Sequence, residues 1–300
     1  MSVKIAVFTK NRSNPAYDAA RLGADRAAGA LGAWAVHFVP RKGDDPEEQS
    51  ALVDEALGLS PDAIVFAPVH ATRVNEAIGR IHAAGVPLFG FVNPIPVGRC
   101  VSYVGANDYA LGFALAQYVY SDLEGRGKVL LVSGPVASVT SIDRMRAFAY
   151  AAKSFPGISI AGTCVGDYRR DTARDSVARW LAEKGGFDAC LAANDIMAVG
   201  VVDALRQEGR NARRLPAIAG VNAIPEAIAA IRRGEMLATV DFNAMHMAYL
   251  ATECAVRHLR GEPVPATIEL PAEIVDRHNC ESWDLPYERR RIPTLMETLP

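Results

Sequence analysis

The sequence predicts an α/β protein made of two doubly wound parallel-sheet lobes, and three observations carry that expectation. Short apolar, β-branched runs alternate with longer amphipathic segments from one end of the chain to the other. Each run is apolar throughout, as strands are when helices cover both faces of a parallel sheet. The rhythm nearly resets after Gly125, where Glu-Gly-Arg-Gly-Lys leads into a fresh strand. Ten or so strands are many for one doubly wound sheet of this length, so two lobes fit better than one.

The strand candidates cover 3–8, 34–39, 63–67, 87–92, 100–104, 128–133, 159–163, 189–192, 217–221 and 237–241. Helical patterns cover 16–31, 46–57, 72–84, 109–123, 171–183, 196–207, 225–232 and 244–259. Asn14-Pro15 places a capping residue before a proline suited to a first helical turn. Gly32, Gly85 and Gly209 fall just after apolar-periodic segments, where a left-handed residue ends a helix.

Composition excludes several classes. Half of the 300 residues are hydrophobic and 22% are charged, enough for a packed core and too ordered a mixture for a disordered chain. The net charge of −2, with both signs interspersed, gives no basic face for nucleic acid. No stretch approaches the roughly 20 apolar residues of a membrane-spanning helix. The start, Met1 to Phe8, runs into a strand and lacks the features of a signal peptide, so either an export signal has been replaced or the protein is cytoplasmic. Five cysteines (Cys100, Cys164, Cys190, Cys254, Cys280) have no close pair and no metal spacing, and read as buried reduced thiols, which weighs mildly against export. No metal and no cofactor is expected.

Enzyme signatures are missing: no G-x-S-x-G, no H-E-x-x-H and no G-x-G-x-x-G opening a helix after a strand. Gly125-Arg-Gly-Lys128 precedes a strand and lacks P-loop spacing, and His70 at the third strand's end reads as structural or solvated. Ligands of open α/β sheets bind at the carboxyl ends of strands. There the sequence places Lys10, Asn11, Arg12, Asn14 and Tyr17; then Asn93; Asn107 and Asp108; Arg144; Asp167 and Tyr168; Asn194 and Asp195; Asn222; and Asp241, Phe242 and Asn243. Amides, a guanidinium and aromatic rings suit a hydroxyl-rich ligand, although Asn and Asp at strand ends also serve as turn residues and helix caps. The acids among them, Asp108, Asp195 and Asp241, have capping or hinge roles as their plain reading, so catalytic pairs are scarce and an enzyme on a similar two-lobed scaffold is the less favoured reading.

On these residues the chain resembles the type I periplasmic sugar-binding proteins, the group of ribose-binding protein and of the effector domains of lactose-repressor-like regulators. The motifs are Ser13-Asn-Pro-Ala-Tyr17 with Gly23-Ala24, Pro61-Asp-Ala-Ile-Val-Phe-Ala-Pro68, Ala84-Gly-Val-Pro87, Val104-Gly-Ala-Asn-Asp108 with Gly112, Arg144-Met-Arg-Ala-Phe148, Ala193-Asn-Asp-Ile-Met-Ala-Val-Gly200, Ala219-Gly-Val-Asn222 and Ala238-Thr-Val-Asp241. The resemblance implies two lobes joined by a three-strand hinge, crossing near Ala106, Asp241–Phe242 and Leu270–Glu273. The lobes would be 1–106 plus 243–271, and 107–242 plus 272–300 with the C-terminal tail. The tail beyond Asp276 exceeds what the fold needs, and its prolines predict an irregular surface strap.

The resemblance also implies a non-catalytic solute receptor of an ABC transporter, closing on a sugar or polyol and read by a membrane permease. The pocket positions correspond to Asn14, Ala16, Tyr17, Asn93, Ala106, Arg144, Tyr168, Asn194, Asn222 and Phe242, and Asn11 and Arg12 adjoin them. Where the family often has Asp-Arg this chain has Val92-Asn93, and it has Ala16, Asn222 and Phe242 where an aromatic, an Asp and a Gln are usual. A polyol, a deoxy or methylated sugar, or a small sugar acid held by Arg144 and Arg12 would each fit this loss of charge. The expected setting is the periplasm, acting as a monomer and binding no nucleic acid. The alternative is a cytoplasmic effector sensor without a DNA-binding domain, since no helix-turn-helix precedes Lys4.

Overall fold

The computed structural model describes residues 3–209 and 215–299; residues 1, 2, 210–214 and 300 lie outside it. In chain order the first elements are β1 (Val3–Phe8), α1 (Pro15–Ala30), β2 (Ala33–Phe38), α2 (Pro46–Gly58), β3 (Ala63–Phe66), α3 (Asn75–Ala83), β4 (Leu88–Phe91) and β5 (Ser102–Gly105). Then come α4 (Asp108–Asp122), β6 (Arg126–Ser133), α5 (Val139–Ala151), β7 (Gly157–Val165), α6 (Arg170–Lys184), β8 (Ala189–Ala192), α7 (Asp195–Gln207) and β9 (Ala217–Val221). The last are α8 (Pro225–Arg232), β10 (Ala238–Asp241), α9 (Ala244–Leu259), β11 (Thr267–Glu269), β12 (Glu273–Asp276) and the one-turn α10 (Leu295–Thr298).

These elements form two units: Met1–Ala106 with Asn243–Leu270 and Tyr287–Pro300, and Asn107–Phe242 with Pro271–Pro286. The sheet of the first unit runs β11-β5-β4-β3-β1-β2, all parallel. That of the second runs β12-β10-β9-β8-β6-β7, parallel except for β12, which lies antiparallel to β10. Apart from the last edge strand, both have the doubly wound order 2-1-3-4-5, so the α/β doubly wound architecture read from the sequence holds in each unit.

The strands form where they do because their residues are apolar on both faces. In the first sheet Phe8 stacks on Phe38 at 4.9 Å and meets Phe66 at 5.0 Å, and Ile64, Ile78, Ile81 and Leu88 close the layer between sheet and helices. In the second, 129–132 and 189–192 are buried throughout, and the buried Tyr120 hydroxyl donates to the Phe148 carbonyl at 2.9 Å. Pro15 and Pro46 begin α1 and α2, with Asn14 and Asp45 capping through their side chains, as proline at a first turn requires.

Three parts of the chain differ from the sequence expectation. Helix α5 carries Arg144 but opens on Val-Thr-Ser-Ile, three of them β-branched residues that blur the helical period. Strands β11 and β12 are three and four residues long, too short for an alternation to show. The tail was expected with the second lobe from 272 to 300, yet its parts belong to different units. In the second unit Cys280 is buried, Trp283 Nε1 donates to Asp241 Oδ2 at 2.7 Å, and Arg232 pairs with Asp284. From Tyr287 the chain joins the first unit: Arg26 donates to the Glu288 and Arg290 carbonyls, and Leu295 N donates to Glu253 Oε2 at 2.8 Å. The buried Glu253 carboxylate and the buried Leu295 side chain explain this: a carboxylate out of water needs donors, and an apolar side chain needs cover.

Helix α1 lies so close to α9 that a Cβ on Gly23 would stand 2.1 Å from the Met245 carbonyl oxygen. A side chain there must push two buried helices apart. Gly23→Val is therefore expected to lower the unfolding free energy by about 3 kcal/mol, seen as a lower urea midpoint at constant slope. An unchanged midpoint would contradict this packing.

Candidate functional site

In the first unit the carboxyl ends of β1 and β4 carry the candidate groups. Asn14 caps α1: its Oδ1 accepts from Ala16 N at 3.0 Å, which leaves its Nδ2 without a protein partner among the described residues. Asn93 does the opposite. Its Oδ1 is buried and has no hydrogen-bond partner among the described residues. It follows Val92, held at φ 64°, and its amide donates to the Phe91 carbonyl at 2.7 Å in a three-residue turn. A β-branched residue in the left-handed region is strained, and such strain collects at ligand-facing turns. Tyr17 lies buried on the first turn of α1, and Lys10 is buried at the end of β1.

The second unit repeats the pattern at the ends of β8 and β9. Asn194 caps α7, with Oδ1 accepting from Met197 N at 3.1 Å and Nδ2 left without a protein partner among the described residues. Asn222, at φ 127°, has a buried Oδ1 with no partner among the described residues. Each unit thus has one capping amide with its Nδ2 unused and one amide with its buried Oδ1 unpaired among the described residues.

Arg144, 3% exposed, projects from α5. Its Nε and Nη2 lie 2.7 and 2.6 Å from Asp108 Oδ1 at the start of α4, its Nη1 donates to the Ala193 carbonyl at 2.7 Å, and its guanidinium lies 5.3 Å from the centre of the Phe242 ring. The guanidinium is therefore already neutralised by a carboxylate. Tyr168, buried and at φ 56°, bonds through its hydroxyl with Thr140 Oγ1 at 2.8 Å and Ser138 Oγ at 3.3 Å. Burial pushes its pKa up, so the ring stays neutral.

Four candidates fare differently. Asn11 spends both ends of its amide on the loop: Oδ1 accepts from Asn14 N at 3.0 Å and Nδ2 donates to Asp44 at 2.8 Å. Arg12 is exposed, while Arg21 reaches back to Thr9 Oγ1 at 2.9 Å. Ala106 stands half-buried at the last residue of its segment of the first unit and has only backbone groups to offer. His70 Nδ1 accepts from Thr72 N at 3.1 Å and Arg73 N at 3.2 Å, a turn role. Sequence reasoning named Asp108 without seeing that it pairs with Arg144, and it passed over Ser138 and Thr140, because the helix carrying them was unread.

Both doubly wound units thus carry, at their strand ends, side-chain amide atoms without a partner among the described residues. The periplasmic binding protein domain matches residues 5–263, and the chain belongs to this family of non-enzymatic solute receptors of ABC transporters. It is 25% identical over 250 residues to the D-allose-binding periplasmic protein of Escherichia coli, covering 81% of this chain and 80% of that one. It is also 25% identical over 197 residues to the xylitol-binding protein of Mycolicibacterium smegmatis, 65% of this chain and 56% of that protein. A solved ABC transporter solute-binding protein from Mycobacterium smegmatis, with bound glycerol, superposes with a TM-score of 0.85 at 25% identity, over 94% of this chain and 96% of that one.

Removing Arg144 strands Asp108. Arg144→Ala is expected to cost about 3 kcal/mol of stability in urea unfolding, as when one member of a buried ion pair is deleted. An undiminished stability would show that the pair is solvated.

Proposed function

We propose that this chain is the receptor of an ABC transporter for a small neutral polyol or sugar. One observation carries the reading: the unsatisfied Oδ1 atoms of Asn93 and Asn222, set against the unused Nδ2 atoms of Asn14 and Asn194. Hydroxyl groups both donate and accept, and are the groups that satisfy both kinds of amide at once. A buried acceptor without a partner costs about 1–3 kcal/mol, which a ligand hydroxyl relieves on binding.

Charge decides between the candidate ligands. Arg144 is already paired with Asp108, so its charge is not left over for a carboxylate, which favours a neutral ligand over the sugar acid. The relatives that bind D-allose and xylitol, and the one solved with glycerol, favour the same class. Tyr17, Tyr168 and Phe242 supply ring faces for C–H groups. The partner is a membrane permease and the setting the periplasm. The cysteines do not oppose it: burial holds the thiols of Cys190 and Cys254 above their usual pKa, Cys254's at about 11, so they pack as neutral groups.

A thermal-shift panel of xylitol, myo-inositol, D-allose and glycerol against D-glucuronate tests this. A ligand at a hundred times its Kd adds about 2.7 kcal/mol of stability. Stabilisation by a neutral member is expected, and stabilisation by the uronate alone would refute the reading. Asn93→Leu should weaken the stabilising ligand about tenfold while raising the stability of the ligand-free protein by about 1 kcal/mol, since it removes an unsatisfied acceptor. A less stable ligand-free variant would show that Asn93 is structural.

A further inference from the structure

A buried carboxylate bonds to the turn that follows Asn222. Asp195 opens α7 and is fully buried. Thr239 Oγ1, on β10, lies 2.7 and 2.9 Å from its two carboxylate oxygens, and Ile224 N donates to Oδ2 at 3.1 Å. Ala223 N donates to the same Thr239 hydroxyl at 3.2 Å. Asp195 and Thr239 together thus collect the backbone amides of the two residues that follow Asn222.

That turn needs holding. Asn222 at φ 127° and Ala223 at φ 50° are consecutive residues in the left-handed region, where a Cβ costs about 1–2 kcal/mol. Such backbone persists only where its surroundings over-determine it. Room for the clamp is built into β9: a Cβ on Gly220 would lie 2.4 Å from Asp195 Oδ1. Burial pushes the Asp195 pKa up to about 7; the Thr239 hydroxyl and the amides of Ile224 and Ala223 oppose the rise, and Asp241, the charged side chain acting on it, adds to it. The buried carboxyl reaches that turn directly at the Ile224 amide and, through the Thr239 hydroxyl, at the Ala223 amide.

We infer that Asp195 is a positioning residue for ligand binding: it fixes the Asn222–Ala223 turn and so the direction in which the Asn222 Oδ1 is presented. The inference rests on the reading of Asn222 as a ligand contact. Gly220 and Thr239 belong to the same device, one making space for the carboxylate and the other carrying it to the Ala223 amide.

Amide hydrogen exchange on the full chain, resolved by NMR, together with calorimetry using xylitol and myo-inositol, tests it. In Asp195→Ala the amides of Ala223 and Ile224 should exchange about tenfold faster or more, with those of β8 and α9 unchanged. Affinity for whichever probe the unmodified protein binds should fall about tenfold. Asp195→Asn, whose amide accepts from Ile224 N and donates to Thr239, should restore both. Thr239→Val should loosen the Ala223 amide in the same way, and serves if Asp195→Ala does not fold. Unchanged exchange at Ala223 and Ile224, or faster exchange with unchanged affinity, overturns the inference. If the unmodified protein binds neither probe, the ligand class fails instead, and exchange still decides whether Asp195 holds the turn.

Discussion

A parallel strand whose end must turn at once into a helix sets the terms for this protein. The first N–H groups of the helix need an acceptor, and the turn leaves little room to supply one. Both units answer with asparagine: Asn14, Asn107, Asn194 and Asn243 each cap the following helix through Oδ1. A capping amide is only half used. At Asn14 and Asn194 the Nδ2 has no protein partner among the described residues, so the requirement that ends the strand also leaves a donor there. Where no cap is required, at Asn93 and Asn222, the Oδ1 is buried without a partner among the described residues. The complementary pattern follows from helix capping, repeated in two units of the same strand order.

Much of the charge is paired within the chain. Arg144 is held by Asp108 and by the Ala193 carbonyl, Arg257 by Glu253 and Glu262, and Arg206 and Arg233 by Glu235. With Arg144 paired, the candidate contacts are mostly neutral amides and ring faces. Hydrogen bonds to neutral groups are individually modest, so selectivity depends on where each amide points. That gives backbone control at Val92, Tyr168 and Asn222 its importance: each is a non-glycine residue at positive φ beside the groups in question.

Much of this was legible in the sequence. Apolar strands and punctuating residues at Asn14-Pro15, Gly32 and Gly85 expose the architecture, because a parallel sheet demands apolar residues on both faces and leaves the turns to polar ones. The amides at strand ends could be named, but not sorted: Asn11, Asn14 and Asn93 look alike in sequence, and one is consumed by its loop, one caps and one is unsatisfied. That distinction depends on partners distant in the chain, such as Asp44 for Asn11. The pairing of Arg144 with Asp108 and the division of the tail were hidden for the same reason.

The central claim is that the amides of Asn14, Asn93, Asn194 and Asn222 match the donors and acceptors of a neutral polyhydroxylated ligand. A crystal structure with the most stabilising polyol or sugar bound measures it most directly. Ligand hydroxyls are expected to donate to Asn93 Oδ1 and Asn222 Oδ1 and to accept from the Nδ2 atoms of Asn14 and Asn194, with the Arg144–Asp108 pair intact. A ligand bound elsewhere, or one whose carboxylate displaces Asp108 from Arg144, would contradict it.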